Sequence, residues 1–291
     1  MSTPPAPRSS APVLVLGATG TTGRRVAARL AARGVEVRAG SRTGRPPFDW
    51  HDPATWPAAV TGARAAYLAY HPDLVEPGAV DTVQRFAAVA VGAGVRRLVL
   101  LSGRGEPAAQ RAERAVLDTA AAAGAEATVV RSAFFAQNFD EKDFADLVRS
   151  GTVALPAGPV TEPFGDADDV ADVAVAALTQ DGHAGRVLEV TGPRLLTFAD
   201  AVAEIAAATG RAVEYRQVTP AEFTAGLHAA GVPDDLAAAV TAVFATVLDG
   251  RGSSLTGTVE AVLGRPPRDF AAYARAAASR GAWDAPVPTG R

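Results

Sequence analysis

The 291-residue chain has no cysteine, which excludes disulfides, thiolate catalysis and cysteine-ligated metal. It has no apolar stretch long enough to span a bilayer. Its four histidines, His51, His71, His183 and His228, lack metal-ligand spacing, so no metal site is expected. Charged residues make up only 20 %, with a formal net charge of −3, a balance that argues against nucleic acid as a partner. Lysine is nearly absent; Lys142 is the single one. No internal repeat is visible.

What is present in quantity is apolar, 48 % of the chain, enough for a well-buried core. Residues 1–11 are rich in Pro and Ser and read as a disordered tail without the apolar core of a signal peptide, which suits a cytoplasmic protein. A second tail is expected over 284–291. Between them, 12–150 reads as a dinucleotide-binding domain and 151–283 as a substrate-binding lobe that shares some sheet and helix with it.

The most informative stretch is Val13 to Arg24, Val-Leu-Val-Leu-Gly-Ala-Thr-Gly-Thr-Thr-Gly-Arg. An apolar run ending at Leu16 meets Gly17, Gly20 and Gly23, and a helical pattern follows. Gly17 permits a tight turn, Gly20 a close approach of backbone to ligand, and Gly23 close packing of helix on strand. The free N–H groups and dipole of the helix start suit a pyrophosphate. Gly17, Thr19, Gly20, Thr21, Thr22 and Gly23 are therefore candidate cofactor ligands.

A second strand, 35–39, ends in Gly40-Ser41-Arg42. An acid there would hold a ribose 2′-hydroxyl, whereas Ser41 and Arg42 suit a 2′-phosphate, so NADP(H) is favoured and NAD(H) remains possible. Phe48-Asp49-Trp50 reads as a short third strand, with Asp49 facing an adenine amino group and Trp50 either flanking the base or lying in the core. A fourth strand, 65–70, carries Ala69 and Tyr70 at its end. A period of two puts Tyr67 and Tyr70 on opposite faces, and Tyr70 is the candidate to meet a ligand. Strands at 95–101 and 127–131 end near Ser102 and Ser132, with Phe134 just beyond.

Helices alternate with these strands, over 24–33, 75–93 and 107–123. The pattern predicts an α/β fold, a Rossmann-type doubly wound parallel sheet with a smaller, mainly helical C-terminal lobe. Ligands bind such sheets at the carboxyl ends of the strands, where Gly17, Arg42, Tyr70, Ser102 and Ser132 all fall. Asp166, Asp168 and Asp169 read as the cap and dipole complement of a following helix. Phe223, Phe244, Phe270 and Tyr273 read either as core or as the wall of a ligand site.

Several further motifs carry a family resemblance. They are Val99-Leu100-Leu101-Ser102, Val129-Val130-Arg131 with Phe134, Phe135, Asn138 and Phe139, and Asp168-Asp169-Val170. Together with the glycine turn and Phe48-Asp49-Trp50, they make the chain resemble the NmrA-like branch of the atypical short-chain dehydrogenases/reductases. Within it, the ergot-alkaloid-biosynthesis reductase group is the most similar. The resemblance spans roughly residues 12–283 and implies an NAD(P)H-dependent oxidoreductase.

The wider family protonates its product with a Tyr-x-x-x-Lys pair beside a serine. Here the residue four before Lys142 is Asn138, so that pair is absent. Where the resemblance places it, the chain reads Gln110-Arg111-Ala112-Glu113-Arg114. Ser102 alone stands at the family's serine and is the one catalytic candidate. The expected activity is hydride transfer to a ketone or quinone-like carbonyl of a bulky, polycyclic natural product, without the usual Tyr/Lys acid. Alternatives are an iminium reductase of the alkaloid type, or a non-catalytic NADP-binding redox sensor. The expected partner is a small molecule, with no nucleic acid and no membrane. The oligomeric state is not legible.

Overall fold

Strand β1 (Val13–Leu16) is fully buried at all four side chains. Parallel strands covered on both faces require such unbroken apolar runs, each Val or Leu contributing about 1.5–3 kcal/mol on burial. In this computed structural model, which describes residues 11–141 and 144–284, β1 is followed by α1 (Thr21–Ala32), β2 (Val37–Gly40), α2 (Trp56–Val60) and β3 (Ala65–Leu68). Then come α3 (Ala79–Gly92), β4 (Arg97–Gly103), α4 (Pro107–Ala122) and β5 (Glu126–Ser132). The later part contributes α5 (Phe144–Ser150), β6 (Thr152–Leu155), β7 (Thr161–Glu162), α6 (Ala167–Thr179), β8 (Val187–Val190) and β9 (Leu196–Thr197). It closes with α7 (Phe198–Thr209), β10 (Glu214–Gln217), α8 (Pro220–Ala229), α9 (Asp234–Val247), α10 (Thr258–Leu263) and α11 (Phe270–Ser279).

The six-stranded sheet is parallel, in the order β2-β1-β3-β4-β5-β8. Val13 lies opposite both Val37 and Ala65, so β1 is held from both sides. The predicted doubly wound sheet is present. Phe48–Trp50, however, is not one of its strands. Asp49 forms only an isolated bridge to Asp52, because Thr55 Oγ1 accepts the Asp49 N–H and the Trp56 indole donates to the Asp49 carbonyl at 2.8 Å. The segment is a locked turn.

The chain forms two compact units. The first holds the described residues up to Ser102, with Ala108–Val130 and Ala171–Val187. The second holds Gly103–Pro107, Arg131–Val170 and the described residues from Leu188 on. The units interleave in sequence, Ala171–Val187 returning to the first unit after the chain has left it. The core of the first contains Phe48, Trp50, Trp56 and Phe86 in edge-to-face contact at 5.0–6.4 Å. The second is built on Phe139, Phe164, Phe198, Phe270, Tyr273 and Trp283. Phe244, Phe270 and Tyr273 are buried there and Phe223 packs on Phe244, so these aromatics are core. Lys142 and the chain ends at 1–10 and 285–291 lie outside the described residues.

Candidate cofactor and active site

The glycine turn has the shape its residues require. Gly17 adopts φ +65°, and the Gly20 N–H donates to the Gly17 carbonyl at 2.8 Å. A side chain at Gly23 would place Cβ 2.1 Å from the Gly17 oxygen, so only glycine lets α1 start this close to β1. No side chain caps α1 and no acid lies in its first turn. Its positive end is therefore left for an anion. Thr19 and Gly20 are exposed and Thr21 half-buried. The buried Thr22 turns its hydroxyl inward, accepting from the Tyr67 hydroxyl at 3.0 Å, and so acts as a strut.

Four of the expected strand-end residues meet in one place. A Cβ on Gly17 would stand 3.3 Å from that of Ala69, the Trp50 indole donates to the Ala69 carbonyl at 3.1 Å, and the Tyr70 ring lies 5.1 Å from Trp50. Trp50 is only 6 % exposed, which is the core reading of that residue. The Asp49 carboxylate accepts the His51 N–H at 2.9 Å. Ser41 is half-buried and approaches Thr43 at 3.5 Å; Arg42 is exposed and pairs with no acid among the described residues.

Two candidate proton donors of the first unit, Tyr67 and Ser102, are already engaged. Tyr67 is fully buried, and desolvation pushes its phenol far above the usual range, so it is no proton donor at neutral pH. Burial also raises Tyr70, with the Glu76 charge adding to it. Ser102 donates to Glu113 Oε1 at 2.6 Å, both groups being buried. With its proton committed, the Ser102 hydroxyl offers outward only a lone pair, which fits poorly with donation to a reacting oxygen. The resemblance put Glu113, eleven residues on in α4, where the family's pair would stand, but gave no sign that it is buried against Ser102.

In the second unit, Ser132 donates to the neighbouring Ala133 carbonyl at 2.8 Å, and Phe134 packs among Phe144, Phe164 and Phe198. The acidic run at α6 is a cap, as read, with additional anchors. Asp166 Oδ1 accepts the Asp168 N–H at 2.7 Å and the Gln137 amide at 3.0 Å. Asp169 accepts from Arg265 at 2.6 Å and from the Arg268 N–H at 2.7 Å. No described residues cluster as metal ligands. Sequence reasoning missed Arg104 and Glu162. Arg104 donates to the carbonyls of Gly252 and Ser254 at 2.9 and 3.0 Å and pairs with Glu189. Glu162 is 3 % exposed, and burial pushes its carboxyl up to about 7, Arg104 opposing the shift and Asp249 adding to it.

No protein-family model matches the chain. It is 32 % identical to the NAD(P)H azoreductase of Xenophilus azovorans, covering 92 % of this chain and 98 % of that one. It is 30 % identical to festuclavine synthase I of Penicillium roqueforti, over 90 % and 96 %. Among solved structures, the triphenylmethane reductase of Citrobacter sp. complexed with NADP(H) superposes with a TM-score of 0.72 at 20 % identity, over 92 % and 99 %. The chain is thus an NAD(P)H-dependent oxidoreductase. It belongs to the NmrA-like branch of the atypical short-chain dehydrogenases/reductases.

Proposed function

We propose that the protein reduces a ketone or quinone-like carbonyl of a bulky, polycyclic small molecule with NADPH, and does so without a Tyr–Lys pair. The observation that carries this reading is the contrast within the first unit. Its glycine cradle and uncapped α1 fit a dinucleotide, while Tyr67 is sealed and Ser102 is bound to Glu113.

The backbone of Gly17, Gly20 and Gly23, with Thr19 and Thr21, would hold the pyrophosphate, and Ser41 with Arg42 the 2′-phosphate. Asp49 would accept from the adenine, with Trp50 behind it. In the first unit, Ala69, Tyr70 and Ser102 would line the nicotinamide half. Bound NADPH would supply the hydride, and the residues of the first unit would supply orientation and electrostatics. The first unit carries the cofactor and the second the substrate.

A C=N substrate is the second reading, favoured by the likeness to festuclavine synthase I, a clavine enzyme by name. An iminium already carries its positive charge and needs no acid. Absorbance of NADPH decides among these, followed with a naphthoquinone, an aryl ketone, an azobenzene dye and a cyclic iminium as probes. Consumption with the carbonyl probes is expected. Tight NADPH binding with no turnover of any probe would overturn the reading.

A further inference from the structure

Every buried acid at the α6 cap has partners, and so does Glu189, which pairs with Arg131 and Arg104. Glu162 is the exception in its surroundings. Its Oε1 is buried without a hydrogen-bond partner among the described residues. Arg104, whose charge acts on it, donates to Gly252 and Ser254 and pairs with Glu189. An unpaired buried carboxylate is costly, so a structural role would favour pairing it or replacing it by an apolar side chain.

Its place in the fold is that of a ligand group. The Arg104 N–H donates to the Ser132 carbonyl, and its guanidinium reaches Glu189, so Glu162 borders the carboxyl ends of β4, β5 and β8, where doubly wound sheets bind ligands. The 250–255 loop lies over it. Ser253 Oγ donates to the Thr161 carbonyl, and Arg104 holds Gly252 and Ser254. Gly252 faces Oε1 directly; a Cβ there would stand 3.1 Å from it. The charges acting on the carboxyl are Arg104 after β4 and Asp249 in the loop; Glu189 at β8 pairs with Arg104 and with Arg131 at β5, and Asp249 with Arg251.

We infer that Glu162 is the acid of this reductase, a carboxyl that protonates the substrate heteroatom in place of the missing Tyr–Lys pair. The inference rests on the reductase reading above. In the step, the carbonyl carbon, or one nitrogen of an N=N group, would gain hydride supplied by the reduced nicotinamide as the C=O or N=N π bond breaks. The heteroatom takes the Glu162 proton, leaving a carboxylate that water reprotonates and an oxidised cofactor. Burial and Asp249 hold the carboxyl near 7, so a useful fraction is protonated at neutral pH.

The test is Glu162→Gln, which keeps the shape and removes the proton. With NADPH and a naphthoquinone or an azobenzene dye, wild-type kcat should fall as pH rises through about 7. The variant should lose that limb and be slower by roughly 10²-fold below it. With an N-methylated cyclic iminium, which takes hydride alone, the two proteins should agree within about twofold, a control that a structural defect would fail. Infrared titration of the free protein should show a carboxylic-acid band in wild type that the variant lacks. Equal pH profiles, or the absence of that band, would overturn the proposal. Wild-type protein that binds NADPH but reduces none of the probes would overturn the substrate reading instead, and the infrared band would still decide the acid.

Discussion

Arg42 sits at the end of β2, exposed and with no acid to neutralise it among the described residues, which leaves its full charge for a phosphate. Arg42→Ala should raise the NADPH dissociation constant about 10- to 100-fold, the worth of one charge-assisted contact, and barely change that of NADH. Fluorescence titration with both cofactors checks it, equal losses being the adverse result. Tyr67 allows a cleaner test of what does not act. Tyr67→Phe should cost about 1 kcal/mol through the lost bond to Thr22 and leave kcat within about twofold, as melting and steady-state kinetics would show. Ser102→Ala should slow turnover by less than about tenfold, since its proton already belongs to Glu113. Gly17 and Gly23 were legible because the turn and the close approach they permit follow from the backbone alone. Glu113 and Glu162 were not, because whether an acid is buried and what it faces depends on residues distant in the chain.

At the level of elements, β1, the turn and α1 read directly from the sequence, since an apolar run, three glycines and an amphipathic helix each specify their own conformation. Gly23→Ala tests the junction. Its Cβ would stand 2.1 Å from the Gly17 oxygen, so α1 must move away from β1. A loss of about 1–3 kcal/mol in denaturant unfolding is expected, with NADPH affinity falling too. The Phe48–Trp50 segment misled because its aromatic composition suits a strand; Thr55 and Trp56 had already taken its backbone groups. The α6 cap was half legible. Its three acids are local, but Arg265 and Arg268 come from about a hundred residues downstream. Asp169→Asn should therefore cost more than a cap alone, about 2–3 kcal/mol, because Asp169 also accepts from the Arg265 guanidinium and from the Arg268 N–H.

For the whole molecule, Glu162 makes stability depend on pH in a direction unusual for a carboxylate. Its folded value, about 7, lies above the ordinary 4.5, so the folded state binds the proton more tightly. The favourable contribution is complete below about 4.5 and is lost as pH rises through about 7. Glu162→Gln should consequently gain stability over wild type across that window, on the order of 2–3 kcal/mol at its upper end, measured by urea unfolding at several pH values. The interleaving of the two units has a different consequence, one for recombination between relatives. The first unit takes back Ala171–Val187 after the chain has left it, and the second begins with Gly103–Pro107. A single crossover near residue 150 thus gives a chimera whose first unit is drawn from both parents. Exchanging the second unit intact therefore requires several coordinated junctions rather than one.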